Sequence, residues 1–379
     1  MRAIVYAHDG ESPYDSFFLN HLLRKNRVYL LTFNSKSTFV PSGVRIVRIH
    51  EPFHPARSPL IGLNTFLGSF LRAFLLRQRL NQIKPKLLLS CGGLLYGWYS
   101  ALSNSMPFVL FVWGSDVLVA PESLPFRFVA KYSLKKASAV IVDSDVQERA
   151  CIELGCDPKK IVKFPWVDLQ PIQRCASGDP EGKKAEDLKR KIGWRKDDLV
   201  IISTRWHKPI YNVECLIQAI PHVVKEVPTA RFLILGKGNL TETLQKAAAK
   251  MGVSSNVKFL GEVPFNEIPI YLKMADIYVS TSLSDGTSAS LIEAMACRVP
   301  AVVTDIPGNR EWITDGSNGL LFAVKDSQVL AEKIVRLSKD EGLRNALAER
   351  AYQTVTERAD WQRNSKLLDK LISSMSTLK

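Results

Sequence analysis

The densest run of chemistry-bearing residues in this chain is SDGTSASLIEAMA at 284–296. Apolar patterning predicts a buried strand over Ile277–Thr281, a polar turn over Ser282–Ser288 and a helix over Ala289–Cys297. A strand, a glycine-containing turn and a helix N-terminus together form an anion site, because free backbone N–H groups and the helix dipole both favour negative charge. Gly286 would let the backbone approach a phosphate, and Thr287, Ser288 and Ser290 would add hydroxyl donors. Asp285 can accept hydrogen bonds from sugar hydroxyls. Glu293 sits beside Leu291, Ile292, Ala294 and Met295, where a carboxylate needs a partner such as a ribose hydroxyl pair. A plainer reading stays open, in which Asp285 caps the turn and Glu293 only complements the helix N-terminus. At the end of another apolar run stands Arg205, whose permanently charged guanidinium can hold phosphate oxygens in bidentate fashion.

Such residues need a scaffold that brings strand ends together, and the chain supplies the pattern for one. AIVYA, VYLLTF, LLLSCGG, FVLFVWG and AVIVDSD read as strands of a first unit; LVIISTR, RFLILGKG, VKFLGE, IYVSTS and PAVVTD read as strands of a second. Amphipathic segments such as NVECLIQAIPHVVKEV lie between them. Near-continuous apolar strands alternating with helices predict parallel sheets covered on both faces. The expected fold class is therefore α/β, with two facing Rossmann-like domains and a ligand cleft between them, beyond the carboxyl ends of the strands. The boundary is expected in the polar stretch 169–195, giving an N-terminal domain of 1–170 and a C-terminal domain of 171–360. A last helix within 361–379 is expected to cross back to the N-terminal domain.

Bulk properties narrow the partners. The composition is globular, and a net charge of +14 leaves phosphorylated small molecules, anionic lipid and nucleic acid as candidates. Nucleic acid is the weakest of these, since no RRM, KH, zinc-finger or helix-turn-helix signature is present. Cys91, Cys151, Cys156, Cys175, Cys215 and Cys297 are scattered without metal-site spacing, which fits a reducing compartment. The opening MRAIVYA reads as a buried strand and not as a signal peptide, and no segment reaches the roughly 20 apolar residues of a membrane span. A cytoplasmic protein is expected, with peripheral contact at the inner face of the cell membrane left open. Asp143 and Asp145 match a D-x-D metal pattern, but their place at a strand end favours a turn and helix cap.

Taken in order, the motifs resemble the family-4 (group 1) retaining glycosyltransferases of GT-B fold. An acidic residue, seven intervening residues and Glu, followed by AMA, resemble the family's signature; GKG after RFLIL resembles its G-x-G turn, and VKFLGEV its F-x-G strand before the nucleobase pocket. PGNREWITDGSNGLLF and the strand-end STR of STRWHKPIYN continue the likeness, which covers Val200 to Val324 most clearly. The resemblance implies that Asp285 contacts the donor sugar, Glu293 the ribose and Arg205 the diphosphate. It extends the donor site to Gly10, Lys208, Gly236, Lys237, Val263, Gly286, Thr287, Ser288 and Ala289. Asp stands where the family more often has Glu at the first acidic position. Tyr211 and Asn212 occupy the places of the family's Lys-Gly pair, so a second phosphate contact falls either to Lys208, otherwise a solvated loop residue, or to Tyr211.

The same resemblance assigns the first half to the acceptor. Trp113, Gly114 and Asp116 follow the strand FVLFV and are similar to the family's H-G-x-D loop, with Trp113 where His often stands. Asp116 would orient or deprotonate the acceptor hydroxyl or offset charge as the donor bond breaks, or it caps a turn; with Arg205 and Asp285 it completes the expected catalytic set. His8, Asp9 and Gly10 follow the first strand, and Ser90–Gly97 forms another small-residue strand end. Transfer of a sugar from a nucleotide-diphosphate donor to an acceptor hydroxyl is expected, with retained configuration and a lipid-linked or cell-surface glycan precursor as acceptor. The donor is a substrate, and neither a further cofactor nor a metal is implied. A sugar-nucleotide epimerase of the same fold and a non-catalytic sugar-nucleotide-binding protein are the alternatives. Finally, the segment 64–86 interleaves Phe66, Leu67, Phe70, Leu71, Phe74, Leu75 and Leu76 with Arg72, Arg77, Arg79 and Lys84. Such a helix can lie in an anionic membrane interface or cover the sheet.

Overall fold

A computed structural model of the chain describes residues 1–50, 61–167, 169–170, 172 and 183–375, with the backbone alone over 61–67. Cys175 and the side chains of Phe66 and Leu67 lie outside the described residues. The chain divides into two compact units, one made of Met1–Pro165 with Gln362–Lys379 and the other of Trp166–Trp361.

In the first unit, β1 (Arg2–Ala7), β2 (Asn26–Thr32), β3 (Arg45–Arg48), β4 (Leu87–Cys91), β5 (Phe108–Phe111), β6 (Ala139–Val142) and β7 (Ile161–Lys163) form one sheet in the order β3-β2-β1-β4-β5-β6-β7. Every pairing is parallel, for example Val5 opposite Tyr29 on one side and Leu88 on the other. Helices α1 (Pro13–Leu23), α2 (Ile61–Ile83), α3 (Gly97–Ser103), α4 (Gly114–Leu118), α5 (Leu124–Lys136) and α6 (Asp145–Glu153) make the crossovers. One turn of π-helix, Gly92–Tyr96, joins β4 to α3. On α2, the stripe Ser69, Ala73, Leu76 and Leu80 is buried, while Phe70, Phe74 and Arg77 are exposed. That helix therefore covers the sheet and still presents aromatic side chains to solvent.

In the second unit, β8 (Leu199–Ser203), β9 (Ala230–Leu235), β10 (Val257–Gly261), β11 (Ile277–Ser280), β12 (Ala301–Thr304) and β13 (Leu320–Phe322) form a parallel sheet in the order β10-β9-β8-β11-β12-β13. Successive residues serve opposite faces: Ile201, Phe232 and Val279 join one apolar layer, and Val200, Ile202, Leu233 and Tyr278 join the other. With both faces covered, the strands must be apolar throughout, which is why they read as unbroken runs. The three short strands β3, β7 and β13 are not among the strands expected from the sequence. Each has three or four residues, and β3 and β7 are partly exposed, so their apolar signal is weak.

The final helix, Trp361–Met375, returns to the first unit. Asn364 Nδ2 donates to the Pro165 carbonyl (3.0 Å), and Asp369 accepts from His21 Nε2 (2.9 Å) and Lys25 Nζ (2.8 Å). Burial alone would raise the Asp369 carboxyl, but the hydrogen bonds from Lys25 and His21 outweigh it and hold the group below its ordinary value. A depressed carboxyl stabilises the fold above the unfolded pKa and loses that contribution as pH falls through the folded pKa. Asp369→Ala is expected to speed amide exchange in 361–375 by up to about fivefold at neutral pH, as suits a partly exposed pair. The difference from wild type should shrink as pH falls below the ordinary carboxylate value of 3.8 and vanish below the lowered folded value; equal exchange at pH 7 would show that these contacts do not hold the helix.

Candidate functional site

Both sheets share the strand order 3-2-1-4-5-6, which the first extends by a seventh strand, and in such sheets ligands gather outside the carboxyl ends where the order reverses. In the second unit that point lies between β8 and β11, which pair through Ile277–Ile201 and Tyr278–Ile202. β8 runs out into Arg205, and β11 runs out into the turn that leads to the helix Ala289–Ala296. The topology thus delivers the two runs picked out in the sequence to one place.

Arg205 is the centre of the arrangement. Its Nη1 donates to Ser288 Oγ (2.8 Å) and Ser290 Oγ (2.7 Å), and Nη2 pairs with Asp285 Oδ2 (2.5 Å). Tyr278 Oη lies 2.8 Å from Ser290 Oγ and completes the polar lining. Burial opposes the guanidinium charge, yet Asp285 above all, with Tyr278 and Tyr211, keeps it protonated. The buried Nε has no hydrogen-bond partner, so one donor of the fork is unused. Ser288, at the N-cap position, turns its hydroxyl to Arg205 and makes no cap bond to its own helix. The cap side chain therefore leaves the first N–H groups of that helix to another acceptor, which is the condition for anion binding there.

Three glycines explain how the loops come so close. Gly236 has φ +91°, and a Cβ on it would lie 2.5 Å from the Arg205 carbonyl oxygen; a Cβ on Gly238 would fall on the His207 carbonyl. The G-x-G turn is thus a backbone contact that fixes the Arg205 loop. Thr241 Oγ1 ties both sides, accepting from the Gly238 N–H (3.0 Å) and lying 2.8 Å from His207 Nδ1. On the other flank, a Cβ on Gly308 would fall on the carbonyl oxygens of Asp285 and Gly286. Asn309 Nδ2 donates to the Thr304 carbonyl (2.8 Å), and Thr304 Oγ1 donates to that of Ser282 (2.6 Å). Gly238, Thr241, Tyr278 and Gly308 were not singled out from the sequence; only the second glycine of GKG carried a visible signal.

Tyr211, which stands at the expected Lys position, lies beneath the guanidinium: Arg205 Cζ is 4.2 Å from its ring centroid. It supplies a cation–π face and no second charge. Lys208 is exposed, with Nζ 5.8 Å from the Trp206 ring. Lys237 pairs with Glu262, and Val263 packs on the apolar layer below. Gly286 and Glu293 are buried, and Thr287 and Ala289 half-buried, along the turn and helix. Glu293 lies within electrostatic reach of Tyr278.

The first-unit residues have firm structural explanations. Asp116 Oδ2 accepts from the backbone N–H of Gly93 and of Trp113 (both 2.9 Å), so it closes the start of α4 and pins the π-helix. Burial raises its carboxyl, and the N–H groups of Trp113, Gly93 and Leu94 offset only part of this. The capping alternative for Asp116 is what the geometry displays, with Gly114 beside it as the first residue of α4. Gly10 has φ +71°, and a Cβ would press on Leu30, Ser37 and Val40, so local packing suffices to require glycine. Ser144 caps α6 by accepting from the Gln147 N–H (3.3 Å), and Asp145 pairs with Lys163; the D-x-D run is a helix start.

Two all-parallel Rossmann-like units of this order define the GT-B fold. Anabaena HepE in complex with UDP and glucose superposes with a TM-score of 0.80 at 19% identity, covering 99% of this chain and 100% of that one. Residues 184–354 match the family described as Glycosyl transferases group 1, and residues 43–144 match Glycosyl transferase 4-like. The chain belongs to the family-4 (group 1) glycosyltransferases. It is 30% identical over 245 residues to the N-acetyl-alpha-D-glucosaminyl L-malate synthase of Bacillus anthracis, covering 64% of this chain and 61% of that protein. It is 28% identical over 210 residues to a GDP-mannose-dependent monoacylated alpha-(1-6)-phosphatidylinositol monomannoside mannosyltransferase of Corynebacterium glutamicum, 54% of each. The chain thus covers less than two thirds of the length of either relative. Among the described residues, no helix is long and apolar enough to cross a membrane.

The Gly308 contact yields a test. Gly308→Ala should displace the Asp285–Gly286 backbone and destabilise the protein by about 1–3 kcal/mol, as overpacking does. Gly68→Ala, where an added Cβ meets nothing within 4 Å on an α-helix, should be neutral or slightly stabilising. Thermal melts of the two variants side by side check this, and an unshifted Gly308→Ala would remove the packing explanation.

Proposed function

We propose that the chain transfers a sugar, with retention of configuration, from a nucleotide-diphosphate donor to an acceptor hydroxyl. The observation that carries this reading is the buried Arg205 guanidinium, held by Asp285, Ser288 and Ser290 with its Nε unpartnered, beside an uncapped helix N-terminus. A diphosphate oxygen would take the unused donor and the N–H groups at the start of the helix Ala289–Ala296, while Glu293 would receive the ribose hydroxyls. Asp285 would meet the sugar, and its short side chain would bear on which sugar fits. The anomeric C–O bond to the diphosphate breaks as the acceptor oxygen bonds to the same carbon from the same face. The hydroxyl proton leaves on the departing diphosphate, whose growing charge Arg205 and the helix N-terminus stabilise. Complexes of the HepE protein with UDP and glucose support a nucleotide-sugar donor.

Arg205→Ala and Glu293→Ala are each expected to lower turnover at least about tenfold, roughly 1.4 kcal/mol of transition-state stabilisation. Arg205→Lys should not restore it, because one ammonium cannot span Asp285 and both serines in the guanidinium's fork. A panel of UDP-, GDP- and ADP-sugars assayed for transfer or hydrolysis supplies the readout, and normal turnover in both alanine variants would sink the assignment.

A lipid-linked acceptor is favoured by one further observation. Phe70 and Phe74 on α2 and Leu124, Phe126 and Phe128 on α5 are exposed among Arg77, Arg127 and Lys131, and both helices pack on α3. Apolar side chains set among cations suit an anionic bilayer surface. The protein should sediment with phosphatidylglycerol vesicles at least about threefold more than with phosphatidylcholine vesicles. Phe126→Ser with Phe128→Ser should abolish that difference. Equal sedimentation of wild type with both vesicles would count against the lipid reading.

A further inference from the structure

The sheet of the first unit reverses its order between β1 and β4, and that point is lined by titratable groups that no step above employs. His8 follows β1, and its Nδ1 lies 2.6 Å from Oδ1 of Asp15, a fully buried carboxylate in the first turn of α1. Asp15 is fixed in turn by Tyr6 Oη (2.8 Å) and the Ser12 N–H (2.9 Å). The His8 ring stacks along Trp113 (centroids 5.8 Å apart, planes at 30°) and meets Tyr6 edge-on at 6.0 Å. Tyr96, from the π-helix, donates to Asp9 Oδ1 (2.7 Å) and lies 6.2 Å from the same imidazole. The ring keeps 14% exposure, and Nε2 makes no hydrogen bond to any described residue.

Here one nitrogen lies in ion-pair contact with a buried carboxylate and the other edge faces away from it, an arrangement that directs the imidazole for work on a ligand. The groups around it choose the ligand's charge. Asp9 after β1, Asp15 on α1 and Asp116 on α4 all act on His8, while Tyr6, Tyr96 and Cys91 from the adjoining strands and π-helix are neutral and pushed further so by burial. A phosphate would meet three carboxylates. A neutral polyol would not, and the Trp113 face suits the C–H face of a sugar ring.

We propose that this point of the first unit binds a neutral sugar or cyclic polyol, and that His8, aligned by Asp15, accepts a hydrogen bond from the hydroxyl that is to be glycosylated. The step rests on the transfer reaction proposed above, in which the proton itself departs with the diphosphate. Asp15 is a positioning residue, and Trp113 supplies the platform.

Only neutral imidazole can accept, so the site should fail as His8 protonates. Burial lowers the His8 pKa, but Asp15, with Asp9 and Asp116, raises it above its ordinary 6.5. Asp15→Asn should therefore move the His8 titration, followed by NMR of the ring, to lower pH. The acid limb of polyol binding should move with it. Binding of methyl α-glucoside, methyl α-mannoside and myo-inositol to the full chain can be read from Trp113 indole signals, with inorganic phosphate as the anionic comparison. At least one polyol should shift those signals. His8→Ala should weaken that binding at least about tenfold, and His8→Gln, which still presents an acceptor, should recover part of it. No response to any polyol, a response to phosphate in their place, or unchanged binding in His8→Ala would overturn the proposal. UDP and GDP binding measured in parallel keeps the two readings apart: failure of wild type to bind any nucleotide would count against the donor assignment and leave the polyol result standing.

Discussion

The second unit is organised around one electrostatic demand, which is to keep a guanidinium charged where water scarcely reaches. An unpaired buried cation would be costly by several kcal/mol, so Arg205 is surrounded by a carboxylate, two hydroxyls and an aromatic face. Each of those groups stands on a different segment, and the segments can meet only where side chains are missing. Gly236 and Gly238 admit the Arg205 loop from one side, and Gly308 admits the Asp285 turn from the other. The glycines and the charge are therefore one device: close backbone contact holds the loops, and the loops hold the charge.

The first unit uses the same strand order with opposite electrostatics. Its corresponding point holds Asp9, Asp15, Asp116 and a single imidazole. Two copies of one topology thus place a buried guanidinium at one reversal point and carboxylates around an imidazole at the other. That contrast follows from which residues end the strands and not from the fold, as expected when function is carried by sites placed on a common scaffold.

Much of this was legible in the sequence, for reasons that can be stated residue by residue. The buried strands declared themselves because both faces are covered, and the Arg205 and 285–293 runs stood at strand ends where chemistry belongs. What stayed hidden depends on groups distant in the chain. Nothing near Tyr211 reveals that it lies under Arg205, and nothing near Gly308 reveals the Asp285 carbonyl it touches. Asp116 looked equally fit for catalysis and capping until the Gly93 N–H, from another strand end, was found on its carboxylate. The edge strands β3 and β7 were missed because partial exposure leaves little apolar pattern in so few residues.

The last helix belongs to the first unit although the whole second unit precedes it in the chain. On the ribosome, the stretch from Trp166 to Trp361 must therefore be made before the partners of His21, Lys25 and the Pro165 carbonyl exist. At a synthesis rate of about 5–20 residues per second, that interval is roughly 10 to 40 seconds. The first unit must wait through it without the helix that carries the buried Leu368, Leu371 and Ile372, and completion of the first unit is tied to synthesis of the second.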